Sequence, residues 1–285
     1  MRSTSSARFL LALIVGVVLT FAPASDGGGN LFALSDGVVP IRTEASGAGP
    51  EPFPFKGVTL RVLSKAAIQA EDALQALSPF VLQSSHPAAL KAAFKAYFNY
   101  REAHPGDVWT PYLYFVDFGL GNQERRGYVF DMIGLRLIEG PFTVAAGKGS
   151  SMNPQGIPLE FSNRLGSNAS SLGLFVTTET YGFTGTSDGR PYRSIGLRMD
   201  GRSGEFNDAA TKRGVVIHGA PYVTADGAGR SEGCPAMEPE RAERLLPMLG
   251  KGSLVFLYSP YDRQWATEEP WTQPERDYLF QIVAR

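Results

Sequence analysis

Apolar and polar positions along this chain follow two different periods, and the change comes near residue 107. Before it, Leu60, Leu63, Ala67, Ala70, Leu74 and Leu77 recur at helical spacing until Pro79 stops the pattern. A second helix is predicted with Ser85 as its N-cap and Pro87 in its first turn, placing Leu90, Phe94, Tyr97 and Phe98 on one face as a core stripe. Beyond Asp107 short β-rich runs take over: Tyr112–Phe118, Tyr128–Leu137, Phe142–Ala146, Gly173–Thr178, Tyr192–Met199 and Val215–His218. Loops of glycine, asparagine and serine separate them, which predicts a mainly β fold, a mostly antiparallel sheet closed into a sandwich or barrel behind a short helical segment. A helix over Glu238–Leu249 ended by Gly250, a buried strand over Leu254–Tyr258 and a closing helix over Pro274–Val283 complete the reading.

The ends divide the chain further. Arg2 and Arg8 precede an apolar run from Phe9 to Phe21 and then Ala22-Pro23-Ala24, the layout of a secretory signal over residues 1–24. Residues 25–57, rich in Gly, Pro, Ser and Asp, read as a flexible tether. Residues 58–106 are expected to form the helical segment and residues 107–285 the mainly β domain. An exported protein of the periplasm or cell envelope is expected, without membrane association once the signal is cleaved. Two of the 27 basic residues and no acidic ones precede Ala24, so the mature chain carries 25 against 28, a formal charge of −3. That balance points to neither nucleic acid nor an anionic membrane surface as partner. Hydrophobic residues at 43% suffice for a sizeable core, and 32 glycines with 20 prolines supply the turns of a β-structure.

Candidate chemistry centres on the single cysteine, Cys234, in Gly229-Arg230-Ser231-Glu232-Gly233-Cys234-Pro235. An intramolecular disulfide is excluded by count. A zinc site would need more cysteines or clustered histidines, and the histidines are only His86, His104 and His218, so no metal and no cofactor are expected. Three readings remain open for the thiol: an inert buried side chain, an intermolecular disulfide, or a nucleophile with a histidine to take its proton. His218 lies sixteen positions earlier, at the exit of the buried run Val215-Val216-Ile217. A histidine so placed is either structural or a general base.

The span from His218 through Gly-Arg-Ser-Glu-Gly-Cys resembles the signature of the L,D-transpeptidases of the YkuD type, cysteine enzymes that cross-link peptidoglycan. It is most similar to a divergent branch of murein L,D-transpeptidase catalytic domain proteins. Further stretches carry the likeness: Phe161-Ser162-Asn163 with Gly166-Ser167, Ser170-Ser171-Leu172-Gly173, Leu197-Arg198-Met199-Asp200-Gly201, Phe206-Asn207-Asp208-Ala209-Ala210 and Val216-Ile217-His218-Gly219-Ala220-Pro221-Tyr222. Together they cover roughly Thr110 to Tyr258.

The resemblance implies Cys234 as nucleophile, His218 as base and the Gly219 backbone carbonyl as the group that orients the imidazole. Gly233, with Cys234, can offer a backbone N–H to an oxyanion. Arg230 is a candidate for a substrate carboxylate or else a solvated loop arginine, and Ser231, Asn163, Ser171 and Tyr222 are candidates to line the substrate cleft. Most of the larger family has histidine two places before the cysteine, where this chain has Glu232, a carboxylate that would raise the thiol pKa while Arg230 and a protonated His218 would lower it. The implied partners are peptidoglycan stem peptides. The implied activity is transpeptidation of tetrapeptide stems through a cysteine thioester. An L,D-carboxypeptidase or cross-link hydrolase using the same residues, and a non-catalytic wall-binding protein, are the alternatives.

Overall fold

Ser64 begins the described part of the molecule by capping a helix: its side-chain oxygen accepts from the Ala67 N–H at 3.0 Å. The computed structural model describes residues 64–273 and, beyond these, four short strands. The chain divides into two units, residues 1–63 with 275–285, and residues 64–274. In the first, only two antiparallel pairs are described, Phe32–Leu34 with Gly37–Val39 and Thr59–Leu60 with Phe280–Gln281. The signal segment 1–24 lies outside the described residues, as does most of the tether. So does most of the closing helix expected over Pro274–Val283, of which the two described residues form a strand.

In the second unit, helix α1 spans Lys65–Leu77, and α2 spans Ala89–Ala103. The first buries Ala66, Ala70, Ala73 and Leu77, a stripe small enough for α2 to approach closely. On α2 the predicted aromatic face is in place, and Phe94 sets its ring edge-on to Phe130 of the sheet at 5.4 Å. Both helices share one apolar core with the sheet. Two boundaries differ from the sequence reading. Leu60 and Leu63 precede α1, because the Ser64 cap fixes its start. Ser85 does not cap α2; its N–H and hydroxyl both donate to the Asp117 carboxylate, at 2.8 and 2.6 Å.

Eight strands form one mixed sheet. In chain order they are β1 (Tyr112–Asp117), β2 (Gly127–Asp131), β3 (Arg136–Phe142), β4 (Gly173–Ser187), β5 (Arg190–Gly201), β6 (Val216–Gly219), β7 (Ala236–Met237) and β8 (Leu254–Tyr258). Their spatial order is β7-β6-β5-β4-β8-β1-β2-β3. Pairing is antiparallel except for β8 with β1 and β6 with β7. Three residues beyond β3, Ala145 bridges Ala236 of β7, with backbone bonds of 2.8 and 3.4 Å.

The run Tyr128–Leu137, read as one strand, is two, because Asp131 turns the chain: its Oδ1 accepts from the N–H groups of Ile133 and Gly134. Strands β4 and β5 are also longer than expected. Past an irregularity at Thr177–Thr180 they run on as a hairpin arm to Asp188-Gly189, whose successive positive φ values of 50° and 73° close it.

Candidate active site

Val215, just before β6, and Ile217 within it turn into the core, and the alternation of a strand sends Val216 and His218 to the other face. There His218 is buried against the arm, with the Phe183 ring edge-on at 5.6 Å and the Tyr222 ring at 6.4 Å. Its Nδ1 lies 3.0 Å from the Gly219 carbonyl oxygen. A carbonyl only accepts, so Nδ1 carries the proton and Nε2 keeps its lone pair. The same oxygen accepts from the Ser194 hydroxyl of β5 at 2.9 Å. A side chain at Gly219 would place its Cβ 2.7 Å from Ser194 Oγ, so the cradle requires glycine. Burial pushes the imidazole pKa below its ordinary value, with the Gly219 carbonyl opposing that in part. At neutral pH the ring is therefore an uncharged base.

The segment bearing Cys234 arrives beside β6. Arg230–Ser231 pairs in parallel with Ala146–Gly147, and four residues after Ser231 the Pro235 carbonyl accepts from His218 N–H at 3.4 Å, just before β7 begins. Ser231 is buried and holds the turn: its Oγ accepts from Gly233 N–H at 3.1 Å and donates to the Cys234 carbonyl at 2.6 Å. Ser170 clamps the same turn from below, donating to the Gly233 carbonyl at 3.1 Å and accepting from Gly147 N–H at 2.9 Å. Gly233 has φ +123° and its Cβ position lies 3.0 Å from the Ala169 carbonyl, so only glycine fits without strain.

These contacts revise two expectations. The Gly233 N–H is occupied by Ser231, whereas the Cys234 N–H meets no acceptor among the described residues. Ser231 itself is spent on the turn rather than exposed to a ligand.

Cys234 is half-buried, its Sγ accepting from Val216 N–H at 3.4 Å with the Gly214 carbonyl at 3.9 Å. No hydrogen bond joins thiol and imidazole among the described residues. Burial pushes the thiol pKa up and Glu232 adds to the rise, while the Val216 N–H and Arg213 pull it down. The cation acting on the thiol is thus Arg213, not the expected Arg230, which is exposed. Glu232 is paired with Lys148 at 2.7 Å, both more than half exposed.

The other predicted residues divide. Tyr222 sits on the His218 ring. Ser171 is buried and donates to the Ser162 carbonyl at 3.1 Å. Asn163 donates to the Glu205 carbonyl and Asp208 and accepts from Ala209 N–H, tying its loop to the chain before β6, and it borders a small cleft with Phe161 and Phe206. Sequence reasoning missed Ser194, Phe183 and Arg213. The Asp188-Gly189 dipeptide was the signal for the arm that brings the first two. A larger cleft of about 720 Å³ runs past Trp109, Lys251, Arg198, Glu179 and Asp200 to Gly214–Val216, the backbone that holds the thiol.

Residues 82–258 match the family described as L,D-transpeptidase catalytic domain. No curated protein matches the chain. Among solved structures, an L,D-transpeptidase from Mycobacterium smegmatis is 14% identical at a TM-score of 0.34, over 52% of this chain and 58% of that one, less than two thirds of its length. One from Stackebrandtia nassauensis is 16% identical at a TM-score of 0.32, over 70% and 82% of the two chains. L,D-transpeptidase 3 from Mycobacterium tuberculosis is 15% identical at a TM-score of 0.31, over 52% and 61%. The family match takes in more than half of the sequence and every strand of the sheet, from β1 to β8, and on that match the chain belongs to the L,D-transpeptidase catalytic domain family.

Proposed function

We propose that this is an exported peptidoglycan L,D-transpeptidase in which Cys234 forms a thioester with a tetrapeptide stem. The observation that carries the reading is the Gly219 carbonyl held by Ser194 and facing His218 Nδ1, because it leaves the Nε2 lone pair available as a base on a residue whose backbone N–H meets the carbonyl of Pro235, next in sequence to the only thiol in the chain. In this reading Cys234 swings from the Val216 N–H toward the imidazole. Sγ attacks the carbonyl joining the L-centre of diaminopimelate to the terminal D-alanine, and the thiol proton passes to His218. The carbon–nitrogen bond breaks, and the proton leaves on the D-alanine amine. An amine of a second stem then attacks the thioester, gives its proton to His218, and the thiol is restored.

Because burial raises the thiol pKa and lowers that of the imidazole, both start neutral, and the proton moves as the bond forms rather than before it. The unclaimed Cys234 N–H supplies an oxyanion donor in place of Gly233. Acidic and basic side chains in the larger cleft suit a stem whose diaminopimelate end is zwitterionic. Export rests on the signal-like amino terminus.

Incubation with tetrapeptide muropeptides should release D-alanine and build cross-linked dimers. A carbapenem should add once to the protein and not to Cys234→Ala, as read by intact mass. Equal adduct on that variant would sink the reading, and D-alanine release without dimers would assign hydrolysis as the outcome.

A further inference from the structure

We propose that Arg213 is an electrostatic positioning residue for the nucleophile: its guanidinium, anchored on neutral acceptors beside Gly233, stabilises the Cys234 thiolate as it forms. This deepens the function proposed above and rests on it.

The anchoring is complete and carries no acid. Nη1 donates to the Ser162 carbonyl at 2.7 Å and to Ser171 Oγ, and Nη2 donates to the Ala169 carbonyl at 2.6 Å and to Ser167 Oγ at 3.2 Å. No carboxylate pairs with it among the described residues. A half-buried cation with no counter-ion keeps its field available to an anion that forms nearby. Hydrogen bonds alone would not assign the role, since Arg126 is fully buried on the Val144 and Leu120 carbonyls as a structural tie.

Placement separates the two. A Cβ on Gly233 would stand 3.5 Å from Arg213 Nη2, so the guanidinium lies against the residue preceding the nucleophile. The chain leaving Arg213 wraps the sulfur itself, with Gly214 giving its carbonyl and Val216 its N–H. A helix of one turn, Ala210–Arg213 (α3), ends there at Gly214, whose φ of +69° reverses the chain. Arg213 is thus fixed to the thiol from both sides.

The other groups facing Cys234 do not supply positive charge. His218 is held neutral by burial, and Tyr181, Tyr192 and Tyr222 are phenols whose ionisation burial pushes upward. Glu232 opposes the thiolate and occupies Lys148.

The test is the pH profile of iodoacetamide alkylation on the full chain, compared among wild type, Arg213→Gln and Arg213→Lys, with circular dichroism to confirm folding. Arg213→Gln should shift the midpoint upward by about one pH unit, which lowers the rate below that midpoint roughly tenfold while leaving the alkaline plateau unchanged. Arg213→Lys should restore the wild-type midpoint, an outcome that lost packing would not give. A Gln profile that overlays the wild type, or a Lys profile displaced as far as Gln, overturns the inference. If the Gln variant does not fold, the Lys variant decides: an unshifted midpoint supports the inference and a shifted one overturns it. Alkylation reads the thiolate regardless of turnover. An Arg213-dependent profile with no carbapenem adduct would therefore defeat the proposed function and leave the electrostatic role standing.

Discussion

In the proposed function His218 and Cys234 divide the labour of a proton transfer between two neutral groups, and the acid limb of that activity should show it. Because burial depresses the imidazole pKa, kcat/KM should fall only below pH 6.5, the ordinary histidine value, rather than at it. A pH–rate profile checks this; an acid limb above 6.5 would contradict a desolvated base. His218→Ala should lose on the order of 10² to 10⁴ in rate. Glu232→Gln should lower the alkylation midpoint by less than about half a pH unit, since Glu232 adds only the last contribution to the thiol's rise and its exposed charge is screened. If Glu232→Gln were as inactive as His218→Ala, Glu232 would belong to the proton-transfer machinery and His218 would not be its sole base. At this scale the contact between His218 and the Gly219 carbonyl was readable, because the two residues are neighbours in the sequence. Arg213 was not readable, because its acceptors, Ser162 to Ser171, lie more than forty positions earlier and only the fold brings them together.

Among the elements, the hairpin arm of β4 and β5 sets the surroundings of His218. It carries Phe183 and Tyr192, edge-on to each other at 6.1 Å, and Ser194, which holds the Gly219 carbonyl. Gly189→Val strains a residue at φ 73° in the turn that closes the arm. Hydrogen exchange over 181–194 should quicken and acylation should slow, while the chain keeps most of its melting temperature; unchanged exchange there would mean the turn does not order the arm. In the cysteine turn, Gly233→Ala should cost about 1–3 kcal/mol in denaturant unfolding, from φ +123° and the Ala169 carbonyl. The arm escaped the sequence reading because its residues alternate between exposed and half-buried rather than apolar and polar. The core strands β1 and β8, buried on both faces, stood out as continuous apolar runs.

At the scale of the whole molecule, one buried acid should give stability a pH dependence. Burial raises the Glu269 pKa to about 7 against its ordinary 4.5, with Ser203 Oγ, Trp265 Nε1 and Trp271 N–H donating to it and opposing the rise. The folded state therefore binds this proton more tightly than the unfolded chain. Its contribution is full below pH 4.5 and is lost as pH rises to 7, a fall on the order of 3 kcal/mol. Glu269→Gln should flatten that slope in denaturation curves between pH 5 and 8, and an unchanged slope would assign it elsewhere. The bridge from Ala145 to Ala236 has a consequence of another kind. It ties Ala236, two places after Cys234, to the segment that leaves the far edge strand, which couples melting of the cysteine loop to that of the sheet. Heating should then extinguish thiol reactivity and tertiary structure in a single transition, and enzyme warmed short of that point should recover fully on cooling.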